Sequence, residues 1–185
     1  MEGWEPYFTH VTKKLAESIG QFMVAWGRLE SELDSLTPIV FRTDPTHATC
    51  ITANLGSKAK VDMLRSGINM IAALLPPDLV EELNDSLVLV GELSGTYRNL
   101  LAHGQPWAVS EGGEKTYWQW VRVSARKEVN VISPDINEDF WRIATVSTYE
   151  VIHSLRSCAG RLYEVTRDIS AEDWADACSI QSPPE

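Results

Sequence analysis

Large apolar residues recur three and four positions apart in four separate stretches of this chain, residues 15–36, 61–75, 80–101 and 152–169. This spacing has the period of an α-helix and places the apolar side chains on one helical face. Each stretch therefore predicts a long helix that must bury its apolar face against a partner. The third stretch carries Leu89, Leu93 and Leu100 on a second side, so we expect that helix to contact two partners.

Capping residues and prolines indicate where these helices begin and end. Ser57 is a candidate N-cap for the second long helix, and Asp78 starts the third with a capping pattern. The fourth is predicted to extend from about residue 137 to 167. Two short helices are predicted near residues 46–54 and 170–178.

Residues 105–133 have a different pattern, with β-branched and aromatic residues alternating with polar ones. They predict a small antiparallel β-meander. The predicted fold class is therefore mainly α: an antiparallel four-helix bundle with the meander inserted before the last long helix. We expect a single domain over residues 1–185, with a frayed tail at residues 180–185.

The charge balance restricts the partners that this chain can bind. Its 16 basic and 26 acidic residues give a net charge of −10. A protein that grips nucleic acid through its phosphates usually has a basic face, so the sequence argues against broad, non-specific binding of nucleic acid. A narrow site with local positive charge remains compatible with this balance.

Other features concern location and cofactors. No apolar run has the roughly 18–20 residues that a membrane span requires, and the N-terminus lacks the basic start and apolar stretch of a secretory signal. Cys50, Cys158 and Cys178 are odd in number and have no metal-ligand spacing. We therefore expect a reduced, cytoplasmic protein without a membrane partner, a metal site or a cofactor.

The segment Arg98-Asn99-Leu100-Leu101-Ala102-His103 places three polar residues at the end of the third helix, just before Gly104. Arginine offers a planar fork of donors that matches phosphate oxygens, and histidine transfers protons near neutral pH. On a regular helix Arg98 and His103 lie about 140° apart. The long arginine side chain, a distorted last turn, or a second copy of the helix could bring the two groups together.

This segment resembles the HEPN family signature, which has an arginine, a polar residue directly after it, and a histidine a few positions later. The stretch Ala25-Trp26-Gly27-Arg28-Leu29-Glu30 is also similar to an aromatic and acidic stretch of related bacterial HEPN-like proteins. The resemblance implies a helical bundle that forms a homodimer. In active HEPN members the arginines and histidines of two subunits meet in one cleft and cut RNA without metal.

The leading hypothesis is therefore a metal-independent endoribonuclease, or a diverged relative with a phosphate-binding cleft. His103 would be the general acid and base, Arg98 would stabilise the phosphate oxygens, and Asn99 would orient one of them. Arg122, in the predicted meander beside aromatic residues, is a candidate for substrate binding. RNA and an antitoxin or other protein are candidate partners, although Gln105 stands where some toxin-type members carry a modified tyrosine.

A second hypothesis belongs to a different class, a non-catalytic binding or scaffolding protein. In this interpretation Arg98 pairs with Glu92 or with an acidic residue of another helix. His103 caps the last carbonyl groups of its own helix before Gly104, and Asn99 faces water. The segment then serves as a helix end and a dimer contact.

Overall fold

The structure, a computed structural model, describes residues 12–111, 115–123, 129–132 and 136–179, with side chains over 12–103 and 136–179. The helices are α1 (Lys13–Val40), α2 (Pro45–Thr52), α3 (Ser57–Met70), α4 (Pro77–Leu93), α5 (Asn99–His103), α6 (Glu138–Thr166) and α7 (Ala171–Ser179). A 3₁₀ turn (Ala72–Leu74) follows α3, and a π-helical turn (Ser94–Arg98) joins α4 to α5. The predicted helices are confirmed, and the predicted tail at 180–185 lies outside the described residues. The capping role predicted for Asp78 is wrong, because Pro76 is the N-cap of α4 and Asp78 lies in its first turn.

Local hydrogen bonds explain why several helices begin where they do. The Asn137 side chain accepts from the Phe140 N–H at 3.0 Å, and the Ser170 hydroxyl accepts from the Asp173 N–H at 3.0 Å. The prediction for Ser57 is wrong, because Gly56 is the N-cap and Ser57 lies in the first turn of α3. Its hydroxyl donates instead to the Glu30 carboxylate at 2.7 Å, which ties α3 to α1.

The core consists of apolar faces of helices packed against one another. All residues of the first apolar stretch except Ile19 are buried: Leu15, Phe22, Trp26, Leu29, Leu33 and Leu36. Full burial of one such side chain contributes about 1.5–3 kcal/mol. At one end of the bundle, Phe22 packs against Tyr97 and Trp141, so that α1, the π-helical turn and α6 meet there.

Contacts between the helices give their relative directions. The pairs between α1 and α6 rise together in residue number: Phe22 with Trp141, Arg28 with Tyr149, Glu32 with Arg156, and Arg42 with Thr166. Those between α1 and α3 also rise together: Glu30 with Ser57, Asp34 with Lys60, and Val40 with Gly67. The pairs between α4 and α6 run in opposite order: Asp78 with Arg161, and Ser86 with Ser154.

The prediction of an antiparallel four-helix bundle is therefore wrong in its arrangement, although the helical class is confirmed. Helices α1, α3 and α6 run in one direction, and α4 runs in the other. The cause is the connection between α1 and α3. Residues 41–56 include α2 and carry the chain back alongside α1 before α3 begins, so α3 is parallel to α1.

The prediction of a small antiparallel β-meander also requires correction for the part of the chain whose side chains are described. Residues 12–103 and 136–179, whose side chains are described, are helical and contain no strand. Between them the structure describes only backbone pairing, with β1 (Gly104–Glu111), β2 (Lys115–Val123) and β3 (Val129–Ile132) antiparallel in that order. The described core is formed by helices and their connections, and the side chains of β1, β2 and β3 lie outside the described residues.

Among the described residues, every helix is either too short or too polar to cross a lipid bilayer.

Candidate functional site

The predicted site lies on a helix that changes its hydrogen-bonding pattern. Helix α4, the π-helical turn and α5 follow one another without a break from Pro77 to His103. In the turn, the Asn99 N–H donates to the carbonyl oxygen of Ser94, five residues earlier. A π-helical turn holds one residue more than an α-helical turn and is frequently found at functional sites. Arg98 is the last residue of the π-helical turn. Asn99 and His103 lie on α5, whose orientation is set by that turn.

The sequence contains a local signal for this turn that the spacing of the apolar residues does not reveal. Ser94 and Gly95 are its first two residues, and Gly/Ser pairs and π-bulges are common causes of irregularity in long helices. A Cβ built on Gly95 would meet no atom within 4 Å, so close packing does not explain the glycine. Its low helix propensity makes an irregular turn easier to form at this position.

The three predicted side chains differ in exposure but share one property. Arg98 and Asn99 are half-buried, and His103 is exposed at the end of α5. Among the residues with described side chains, none forms a hydrogen bond or an ion pair with any of the three side chains. The alternative pairing of Arg98 with Glu92 is therefore not observed, nor does His103 cap a described carbonyl group.

The lack of a partner sets Arg98 apart from most other arginines with described side chains. Those with a partner donate to carboxylate, carbonyl or hydroxyl oxygens: Arg28, Arg42, Arg142, Arg156, Arg161 and Arg167. Among the arginines whose side chains are described, only Arg98 and Arg65 lack such a bond. A guanidinium half-buried without an anion is suited to bind one from outside the chain.

Asn99 opens onto a groove between α3 and the α4–α5 helix. The groove has a volume of about 430 Å³, and its wall includes Lys58, Arg65, Glu92, Ser94 and Gly95 besides Asn99. Arg98 and His103 do not line it. Arg98 ends the π-helical turn and His103 ends α5, and five positions on a regular helix correspond to about 140° around the axis. The structure thus places Asn99 in the groove without bringing all three predicted side chains into it.

The fourth predicted site residue, Arg122, is described only through its backbone. In the pairing of β1 with β2, Arg122 lies opposite Gly104, the residue that directly follows His103. Its backbone is therefore next to the end of α5. The Arg122 side chain lies outside the described residues, so its proposed contact with substrate stays a prediction.

The described residues contain no group of three His, Cys, Asp or Glu side chains placed to hold a metal ion. Comparisons with protein-family models, curated proteins and solved structures found no match to this chain.

Proposed function

We propose that the protein is a HEPN-like, metal-independent endoribonuclease that acts as a homodimer, with Arg98 and His103 as its catalytic residues. The observation that carries this proposal is the absence of any described partner for either side chain at the end of a helix whose register is altered by a π-helical turn. A half-buried arginine with a purely structural role would be expected to bind a carboxylate or carbonyl group of its own chain.

In the proposed reaction, His103 in its neutral form takes the proton of a ribose 2′-hydroxyl. The 2′ oxygen bonds to the adjacent phosphorus as the bond from phosphorus to the 5′ oxygen breaks. The leaving 5′ oxygen takes a proton from the protonated His103 of the partner subunit. Arg98 stabilises the additional negative charge on the phosphate oxygens, and the products are a 2′,3′-cyclic phosphate and a 5′-hydroxyl.

The proposed dimer brings together an arginine and a histidine that one subunit does not place side by side. Arg98 and His103 are five positions apart, which on a regular helix is about 140° around the axis, so one copy of the segment does not bring the two groups together. Two copies of the segment that cross each other would place the arginine of one subunit near the histidine of the other. Asn99, directly after Arg98, could then orient a phosphate oxygen at the edge of the shared cleft.

The test is cleavage of a mixed-sequence RNA pool in the presence of EDTA by the wild type and by His103→Ala. We expect the substitution to lower the rate about 10²- to 10⁴-fold, because proton transfer is lost. The melting temperature should change little, since His103 is exposed and forms no described bond. His153→Ala, at an exposed histidine of α6, is the matched control and should retain full activity.

Two outcomes would overturn the proposal. Wild-type protein that leaves RNA intact, together with a markedly lower melting temperature for His103→Ala, would favour the scaffolding alternative. A light-scattering mass near the 20.7 kDa of one chain, rather than twice that value, would remove the shared cleft.

A further inference from the structure

We propose that the groove between α3 and the α4–α5 helix holds the RNA strand on one side of the cleavage site, with Arg65 as a phosphate-binding residue. This inference rests on the proposed function, because RNA is the assumed ligand. It adds a binding residue that the motif at 98–103 does not contain.

The first argument is continuity with the proposed catalytic segment. The groove wall includes Asn99, which lies directly beside Arg98 in the chain. From there the wall follows α4 back to Leu87, a rise of about 18 Å, and follows α3 from Ser57 to Arg65, about 12 Å. A strand with one phosphate at Asn99, which is proposed to orient a phosphate oxygen, can therefore continue along the groove as an extended backbone.

The second argument is the state of Arg65. Its side chain is exposed on α3 and forms no hydrogen bond or ion pair with any residue whose side chain is described. The other cation of the groove, Lys58, is bound to Asp62 at 2.6 Å. Arg65 is thus the groove's available cation, and its planar fork suits a phosphate.

The third argument comes from comparing charges. Two other described grooves are lined by acidic residues without any basic one. They are the groove between α1 and α6, with Glu17, and the groove between α4 and α6, with Glu92 and Glu150. The charges of the groove that contains Arg65 balance, because its wall has two basic and two acidic side chains: Lys58, Arg65, Asp62 and Glu92. In a chain with a net charge of −10, a polyanion would therefore meet less repulsion there than in the two acidic grooves.

The inference is tested by measuring RNA binding and cleavage separately. Binding uses a short mixed-sequence RNA with 2′-O-methyl riboses, which lacks the attacking hydroxyl and cannot be cut. With Arg65→Ala, we expect affinity to fall about fivefold at roughly 0.1 M salt, and the slope of log K against log salt to fall by about 0.7, which is one phosphate contact. With cleavable RNA, KM should rise by a similar factor while kcat stays unchanged.

Two further variants make the test specific. Arg167→Ala removes a similarly exposed arginine that does not line the groove and pairs with Glu164, and it should leave RNA affinity unchanged. Glu92→Gln removes a negative charge from the groove and should tighten binding. Both variants keep the fold, because the residues replaced are exposed.

The outcomes separate this inference from the proposed function. If the wild type cuts RNA and Arg65→Ala binds RNA as tightly as Arg167→Ala does, the groove does not bind the RNA strand. The proposed endoribonuclease activity then still stands. If the wild type binds the methylated RNA through Arg65 but never cuts, the groove assignment stands and catalysis is overturned. If the wild type binds no RNA, both the groove assignment and the proposed function are overturned.

Discussion

The Asn99 N–H donates to the Ser94 carbonyl oxygen, so the turn between these two residues holds one residue more than an α-helical turn. The orientation of the proposed catalytic segment therefore depends on this turn. Removing the additional residue would rotate everything after it by about 100° relative to α4. Because Leu100 is buried in the core, such a rotation competes with packing at the end of the helix.

The first prediction concerns deletion of Gly95. We expect the deletion to convert the π-helical turn to a regular α-helix and to turn Arg98 and His103 away from the cleft. RNA cleavage should fall at least about 100-fold, while the helical circular dichroism signal is kept. Thr96→Ala is the control. It changes an exposed residue of the same turn that does not line the groove between α3 and the α4–α5 helix, keeps the chain length, and should remain active. Full activity of the deletion variant would show that RNA cleavage does not depend on the helical register of residues 98–103.

The helix positions could be predicted because they depend on local pattern. Apolar residues at helical spacing and capping residues such as Asn137 mark each helix within a few positions. The helix directions could not be predicted in the same way. The sequence pattern of an apolar helix face is the same whether the neighbouring helix is parallel or antiparallel. The direction of α3 is set by the path of residues 41–56, which this pattern does not contain.

The candidate site shows a similar division. The sequence alone identifies three candidate residues, because they are polar and follow an apolar helix pattern: Arg98, Asn99 and His103. Whether Arg98 has an acidic partner is a question of tertiary contacts, which the pattern does not contain. Arg65 could not be singled out, because in sequence it resembles any exposed charge on an amphipathic helix. It becomes a candidate only when the groove and the pairing of the other arginines are known.

The second prediction compares two glycines in helices. A Cβ on Gly67 would lie 2.5 Å from Val40 Cγ1 and 2.7 Å from Phe41 Cζ, where α3 approaches the end of α1. Val40 is buried and β-branched, so it cannot move aside cheaply. We expect Gly67→Ala to lower the free energy of unfolding by about 1–3 kcal/mol.

Gly27→Ala is the control for that experiment. Gly27 lies inside α1, and a Cβ there would meet no atom within 4 Å. The substitution should raise the free energy of unfolding by about 0.5–1 kcal/mol, because alanine restricts the unfolded chain more than glycine does. Urea unfolding of both variants measures the two effects. Equal shifts of the same sign would contradict the close approach at Gly67.

The third prediction concerns Arg42, which joins the end of α1 to the end of α6. Its guanidinium donates to the carbonyl oxygens of Thr166 and Ile169 at 3.0 and 2.6 Å and lies 4.7 Å from the centre of the Trp174 ring. It thereby binds carbonyl groups at the end of α6 and in the connection to α7. We expect Arg42→Ala to lower the free energy of unfolding by about 1–2 kcal/mol.

The backbone of Arg42 provides an internal control. Its φ of 45° lies in the left-handed region, where glycine is favoured. Arg42→Gly loses the same side-chain bonds but relieves the backbone, so it should be about 1 kcal/mol more stable than Arg42→Ala. Thermal unfolding of the two variants gives this difference. An alanine variant at least as stable as the glycine variant would argue against the left-handed conformation.

The fourth prediction concerns the cysteines. Cys158 is fully buried in α6, and burial together with the nearby Glu82 raises its pKa from 9.0 to about 11. Its thiol should therefore react with a disulfide reagent only after unfolding, whereas exposed Cys50 should react first. Cys50→Ser should remove the fast phase and leave the slow one.

The same pKa shift gives a pH dependence of stability with a defined sign. Between pH 9 and pH 11 the Cys158 thiol loses its proton in the unfolded chain but keeps it in the folded one. The folded state then binds more protons, so the free energy of unfolding falls as the pH rises through this window, by on the order of 2 kcal/mol. Below pH 9 the thiol is protonated in both states, and this contribution to stability is fully present. In Cys158→Ala this part of the alkaline loss should be absent. Urea unfolding at both ends of the window measures it, and parallel losses in the variant and the wild type would assign the pH dependence to other groups.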